Sequence, residues 1–321
     1  MVLPEELEEH WHEFRRSLAR RRRSNATVTV YRKSFEQFWT WALADGVKPD
    51  PGAVDHAVIN AWTDFLLTAP ALRNGRPVFK TDPTTGVETV QPIEASTRRI
   101  RYVNLRPFFG WWSKEYDAPN PFDRAHPPRD AVDAPIPVVD IDDVRRLVAT
   151  CAGKTFVDRR DTAIIRILFD TGARLGELLH LTVDDFDRRN DKLTLRGKTG
   201  VRIVPMSAST AEALSRYVRA RKDHPKAKLP ALWLASKGRL GDSGVAQLLR
   251  RRCELAGIEP INPHRLRHTW AHLNKTNGLS EGDLMYLAGW KSTAMAHRYG
   301  RSAAAERAQE ATRKIGLGDL L

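Results

Sequence analysis

The chain has 321 residues, of which 41% are hydrophobic and 28% charged, with 52 Lys+Arg against 39 Asp+Glu and a formal net charge of +13. That length suits two domains with real cores, and no apolar run is long enough to span a membrane. The acidic start has no apolar stretch of signal-peptide type, and Cys151 and Cys253 stand far apart outside any CxxC, so neither secretion, a disulfide framework nor a cysteine zinc site is expected.

The periodicity over the first part is helical. Val28, Tyr31, Phe35, Phe38 and Ala42 recur at steps of three and four after a Thr27 cap, and Gly46 ends the run. Val58, Trp62, Phe65 and Leu66 repeat the pattern after Asp55. A third helix is predicted from near Ser96, carrying Ile100, Val103 and "FFGWW", with Arg98, Arg99 and Arg106 on its opposite face and Pro107 kinking or ending it. The stretch "LRNGRPVFKTDPTTGVETVQPIEA" between the second and third helices reads as a long polar loop, and the six Trp of this part read as core. The run "RRSLARRRR", which includes Arg22 and Arg23, suits either phosphate contacts or a solvated helix end.

Five prolines within residues 120–140 mark an extended linker. The expected organisation is a helical domain over residues 1–124, a linker over 125–138, and a second domain over 139–321. In the second domain Asp140 caps a helix, "RRDTAIIRILFDTG" forms another that stops at Gly172, and "KLTLRGKTGVRIVPM" forms two strands around a tight turn. Helices follow at "SASTAEALSRYVRARKDH", "DSGVAQLLRRRCELAG", "NPHRLRHTWAHLNKTNG" and "SEGDLMYLAGW", the last opening with a Ser280–Asp283 capping box. A helix bearing Tyr299 and a C-terminal tail helix complete a fold that is mainly α with one small β-sheet.

Charge is unevenly spread. Residues 1–125 hold 18 Lys+Arg against 16 Asp+Glu, and residues 126–321 hold 34 against 23. A polyanionic partner facing the second domain is one reading; a generally basic soluble protein is the other.

Two motifs are decoys. "GKT" at 197–199 resembles the end of a phosphate-binding loop, but Lys192 stands where that motif needs Gly. His264, His268 and His272 share a helix face at spacing four, yet no Glu lies between them as a metalloprotease needs, and Arg267 would repel a cation. What remains is Arg174 between apolar flanks with Glu177 three residues on, Lys198 at the hairpin tip, and His264 one turn before Arg267. Each has a structural reading as an ion pair, a solvated tip or a helix face. Together they offer several donors, mostly cationic, with no carboxylate pair, a set suited to a phosphate diester under attack. The missing part is a nucleophile. Tyr299, read alone, is a core aromatic at helical spacing.

In chain order, "TGARLGELLHLTVDDFD", "LRGKTGVRIVPM", "PHRLRHTWAH", "LAGWKST" and "MAHRYG" resemble the motifs of the tyrosine recombinase (phage integrase) family, across about half the chain. The N-terminal helices fit that family's SAM-like core-binding domain more loosely. The resemblance implies that Tyr299 is the nucleophile, forming a 3′-phosphotyrosyl bond and releasing a 5′-hydroxyl. It implies that Arg174 and Arg267 hold the scissile phosphate, that Lys198 is the general acid, that His264 serves proton transfer, and that Glu177 supports them. Most members have His where this chain has Trp290; an indole N–H can donate a hydrogen bond but cannot shuttle a proton. A free Tyr, with a pKa near 10, is phenolate in only about one molecule in a thousand at pH 7, so the cationic pocket has to favour the ionised form.

The resemblance implies a site-specific DNA strand-exchange enzyme that needs no cofactor, neither ATP nor metal. Its partners would be double-stranded DNA with inverted half-sites and further copies of the chain, four on DNA, with the tail helix docking on a neighbour. Arg98, Arg99, Arg106, Arg22 and Arg23 are the expected DNA contacts of the first domain. With the first core-binding helix pattern starting by about residue 27, no room is expected for a separate arm-binding domain. A bacterial or phage cytoplasmic setting is expected. A type IB topoisomerase-like relaxer and a non-catalytic DNA-binding regulator remain the alternatives.

Overall fold

The computed structural model describes residues 3–73, 76–82, 84–128, 138–198, 200–293, 309 and 312–315. The chain divides into two compact units, Met1–Ala134 and Pro135–Leu321. Among the described residues no helix is long and apolar enough to cross a membrane.

The first unit is built on four helices, α1 (Glu5–Arg20), α2 (Asn25–Ala44), α3 (His56–Thr68) and α4 (Ala95–Glu115). Each apolar stripe turns onto one aromatic core, in which Trp39 and Trp62 are fully buried among Phe14, Phe35, Phe38, Phe108 and Phe109. Five of the six Trp are buried and Trp41 is half-buried, as core aromatics.

Several local expectations are corrected. Helix α1 places Leu7, Trp11, Phe14 and Leu18 in this core, so the first core helix starts at residue 5 and not near 27. The cap of α2 is Ser24, whose hydroxyl accepts from the Thr27 amide at 3.3 Å. Helix α4 does not end at Pro107 but continues to Glu115: the hydrogen bond lost there is outweighed by burial of Leu105, Phe108, Phe109, Trp111 and Trp112 along its length. Ile100, Val103 and Phe65 face solvent and are not core residues. The expected polar loop contains two antiparallel strand pairs, β1 (Leu72–Arg73) with β2 (Arg76–Pro77) and β3 (Phe79–Thr81) with β4 (Glu88–Val90). Their bases are stitched by Ala71 N–H to Gln91 O at 2.7 Å and Val78 N–H to Ala71 O at 2.8 Å. The strands of β2–β4 are exposed on both faces, so no apolar alternation announces them.

The second unit runs α5 (Ile141–Ala149), α6 (Phe156–Thr171), α7 (Leu175–His180), a sheet of β5 (Phe186–Asp187), β6 (Lys192–Gly197) and β7 (Gly200–Pro205), then α8 (Ala208–Arg221). It continues with the short pair β8 (Leu234–Ala235) and β9 (Gly238–Arg239), α9 (Asp242–Ala256), α10 (Pro263–Thr276) and α11 (Glu281–Ala288). Helix α6 is the central element, fully burying Ala163, Ile164, Ile165, Ile167 and Leu168. Asp161, beside them and fully buried, is satisfied by Arg160, Arg251 and Arg252. Arg160, Arg202, Arg221, Arg252 and Arg267 are all buried, so part of the basic excess of this unit is internal and not on its surface.

Among the described residues the helices and the hairpin read from the sequence are present in this unit, and α7, β5 and the β8–β9 pair are additional to that reading. The Tyr299 helix lies outside the described residues; of the tail, residues 309 and 312–315 are helical.

Candidate active site

Helix α6 stops at Gly172, whose φ of +59° closes the helix; a Cβ there would run into the Trp270 ring. The chain then turns through Ala173 and presents Arg174, in extended conformation, as the N-cap of α7. Glu177 occupies the third helical position and reaches back, Oε2 accepting the Arg174 amide at 2.9 Å, the carboxylate half of a capping box. Its Oε1 accepts Arg174 Nη1 at 2.8 Å.

Glu177 is 2% exposed. Burial alone would raise its pKa, but the Arg202 guanidinium and the two Arg174 donors overcome that and bring the carboxyl down to about 2. Arg202 comes from β7 and makes a two-point contact, Nη1 to Oε1 at 2.6 Å and Nη2 to Oε2 at 2.8 Å. Arg202 is the residue that sequence reading missed. Its signal was available: in "VRIVP" Val204 faces inward, so period two also turns Arg202 inward while Val201 and Ile203 are exposed.

Arg267, on α10, is 3% exposed and donates to the carbonyls of Gly172 and, at 2.6 Å, Ala288. Burial, then the neighbouring Arg174 cation, pushes its pKa down to about 9, against the pull of Glu177, so it stays cationic at pH 7. The Trp290 ring lies under its guanidinium, 5.6 Å from centroid to Cζ. His264, exposed in the first turn of the same helix, has its ring edge-to-face with His268 at 4.0 Å. Arg174, His264, Arg267 and Trp290 line one cavity of about 560 Å³ with Ala173, Leu175, Asn262 and Pro263.

The end of α11 gathers this cluster. Gly289 takes φ +63°, and the amides of Gly289 and Trp290 close back on the carbonyls of Tyr286 (3.1 Å) and Met285 (3.0 Å), a Schellman cap. The next three carbonyls each receive a guanidinium: Leu287 from Arg202 Nε at 2.7 Å, Ala288 from Arg267, and Gly289 from Arg174 Nη2 at 2.9 Å. Carbonyls at a helix C-terminus are the negative end of its dipole, so cations are favoured there. Three guanidiniums and one carboxylate leave two positive charges on this cluster.

Lys198 is exposed at the β6–β7 tip. The hairpin base lies against the cluster, since a Cβ on Gly197 would sit 2.9 Å from Glu177 Cγ and Oε1. Tyr299 lies outside the described residues. Among those described, no cluster of His, Cys, Asp and Glu could hold a metal ion.

In the first unit, Arg98 is half-buried and donates to the Ile93 carbonyl at 2.7 Å, so it braces the start of α4, contrary to its expected place on a free basic face. Arg99, Arg22 and Arg23 are exposed, and Arg106 is exposed beside Arg21 and Lys114 around a groove of about 420 Å³.

Residues 137–306 match the family model described as the phage integrase family. Tyrosine recombinase XerD of Mycobacterium tuberculosis is 30% identical over 256 residues, covering 76% of this chain and 77% of the relative. XerD of Corynebacterium glutamicum is 39% identical over 121 residues, which span 36% of this chain and 40% of that protein. Among solved structures, the Tn1549 transposon integrase in complex with transposon right end DNA superposes with a TM-score of 0.68 at 17% identity, covering 94% of this chain and 99% of that one. The XerH recombinase bound to palindromic difH substrate does so with a TM-score of 0.65 at 16% identity, covering 89% and 78%. These likenesses establish the mostly helical fold, and the sequence matches establish the lineage: the chain belongs to the phage integrase family of tyrosine recombinases, enzymes of site-specific DNA cleavage and rejoining.

Proposed function

We propose that this chain cuts and rejoins DNA at specific sites through a covalent link to Tyr299, with Arg174 and Arg267 as the phosphate clamp. The carrying observation is the cavity lined by Arg174, His264, Arg267 and Trp290, backed by a carboxylate whose charge is already satisfied. A phosphate diester carries one negative charge and gains a second in the pentacoordinate transition state. Two net positive charges suit that change better than they suit the ground state, which is the requirement for catalysis.

In this account the Tyr299 oxygen attacks phosphorus in line, the P–O5′ bond breaks, and the 5′-oxygen leaves with a proton from Lys198. His264 handles the phenol proton, and Trp290 donates its indole N–H and supports the Arg267 plane. Each diester bond is replaced by a phosphotyrosyl ester of similar energy, so rejoining is the reverse attack by a 5′-hydroxyl. Two copies on inverted half-sites and four in the exchanging assembly, with the tail of one copy on its neighbour, complete the proposal, and a cytoplasmic location follows from the substrate. The similar solved structures include lambda integrase as a dimer bound to a core site. Neither DNA relaxation nor non-catalytic binding is favoured by relatives named as recombinases.

The test uses nicked duplexes tiled from the DNA flanking the native gene. A protein–DNA adduct that survives denaturation is expected at one site. Binding at a site with no adduct would overturn the catalytic reading.

A further inference from the structure

Resting on that reading, we propose that Arg202 is a positioning residue for the reaction: it saturates Glu177 and clamps the end of α11, so that Arg174 is held at the cavity it lines and does not turn onto the carboxylate.

Glu177 is surrounded by two competing cations. Arg202, 6% exposed, holds both carboxylate oxygens, while Arg174 reaches only Oε1 with its side chain, and its side chain stays 34% exposed. Carboxylate and guanidinium prefer the parallel two-point geometry. Without Arg202, the buried carboxylate would have Arg174 as its sole cation among these contacts, and a two-point pair between them would turn the exposed edge of Arg174 away from the cavity. Arg202 therefore occupies the site into which Arg174 would otherwise collapse.

The same guanidinium reaches a second element. Its Nε bonds the Leu287 carbonyl at 2.7 Å, one and two residues before the carbonyls that hold Arg267 and Arg174. β7, α7 and the α11 terminus thus meet at one side chain, and the strand bearing it is the partner of the one leading to Lys198, Leu195 pairing with Arg202 itself. A side chain that touches neither cavity nor reacting atoms fixes the register of those that do. It lines no part of the cavity among the described residues.

The experiment measures single-turnover adduct formation on a nicked duplex, duplex affinity by gel shift, and melting by circular dichroism, for wild type, Arg202→Gln, Glu177→Gln, the double variant and Arg202→Lys. All rates are taken at a temperature where each protein is folded. Misplacing a clamp by about 1 Å costs about 10²-fold, so Arg202→Gln should cleave about 10²-fold more slowly with affinity within about twofold of wild type. Since Arg202 acts through Glu177, the double variant should cleave at the rate of Glu177→Gln alone. Arg202→Lys keeps the buried cation, and with it the fold, but loses the two-point geometry; it should be slowed about tenfold. Additive losses in the double variant, or wild-type cleavage by Arg202→Gln or Arg202→Lys, would overturn the proposal. If wild type itself forms no adduct, it is the catalytic reading that fails.

Discussion

Glu177 and Arg202 form a two-point ion pair at 2.6 and 2.8 Å, sealed from solvent, at the place where β7, α7 and the end of α11 converge. A pair so buried contributes through its completeness: removing one partner strands the other charge, at a cost of about 3–5 kcal/mol.

That pair makes stability depend on pH in a defined sense. The folded pKa of Glu177, about 2, lies below the ordinary value of 4.5, so its contribution is fully present above the unfolded value and is lost as pH falls towards 2. Urea unfolding between pH 6 and pH 3 should cost wild type about 2 kcal/mol more than it costs Glu177→Gln. Equal losses in the two proteins would contradict the assignment.

Two glycines with nearly the same backbone separate strain from function. Gly257 (φ +62°) and Gly289 (φ +63°) both end helices in the left-handed region. A Cβ at Gly257 meets nothing within 4 Å, whereas at Gly289 it would lie 2.9 Å from Arg202 Nη1 and 3.2 Å from Arg174 Nη1. Gly257→Ala should lower stability by about 1 kcal/mol and leave adduct formation unchanged. Gly289→Ala should slow adduct formation by about tenfold or more, because both guanidiniums must shift. Matching effects on cleavage would show that the α11 terminus does not organise the site.

Arg174→Ala and Arg267→Ala should each slow cleavage by about 10²-fold or more, the usual scale for losing a transition-state donor. Arg267→Ala should also destabilise the fold, since its guanidinium bridges Gly172 and Ala288, while the more exposed Arg174 should cost less. Rapid-quench cleavage with parallel melting curves separates the two effects.

Trp290 offers two separable contributions, a ring face beneath Arg267 and an indole N–H. Trp290→Phe keeps the first and Trp290→Ala loses both, so single-turnover rates should fall in the order wild type, Phe, Ala. Equal rates for the Phe and Ala variants would assign the role to the N–H.

Much of this was legible in the sequence, for identifiable reasons. The α6 stop at Gly172, the Ser280 cap and the hairpin around Lys198 follow from local backbone rules that the tertiary structure leaves intact. Arg174, His264 and Arg267 were chosen as polar residues lacking a packing role, and they do meet around one cavity. Arg202 escaped because a strand of Val and Ile was read by composition, when the register put its one cation inside and two of its apolar residues outside. Pro107 misled because a local rule was given more weight than the aromatic burial that carries α4 past it. Arg98 was assigned from its face, before its bond to Ile93 could be known.

The most direct measurement is to digest the trapped protein–DNA adduct and identify, by mass spectrometry, the peptide that carries the nucleotide. The account predicts that the peptide containing Tyr299 carries it, and that Tyr299→Phe binds the same duplex without forming the adduct. Nucleotide on another residue, such as the exposed Tyr286 on α11, or an undiminished adduct in Tyr299→Phe, would contradict it.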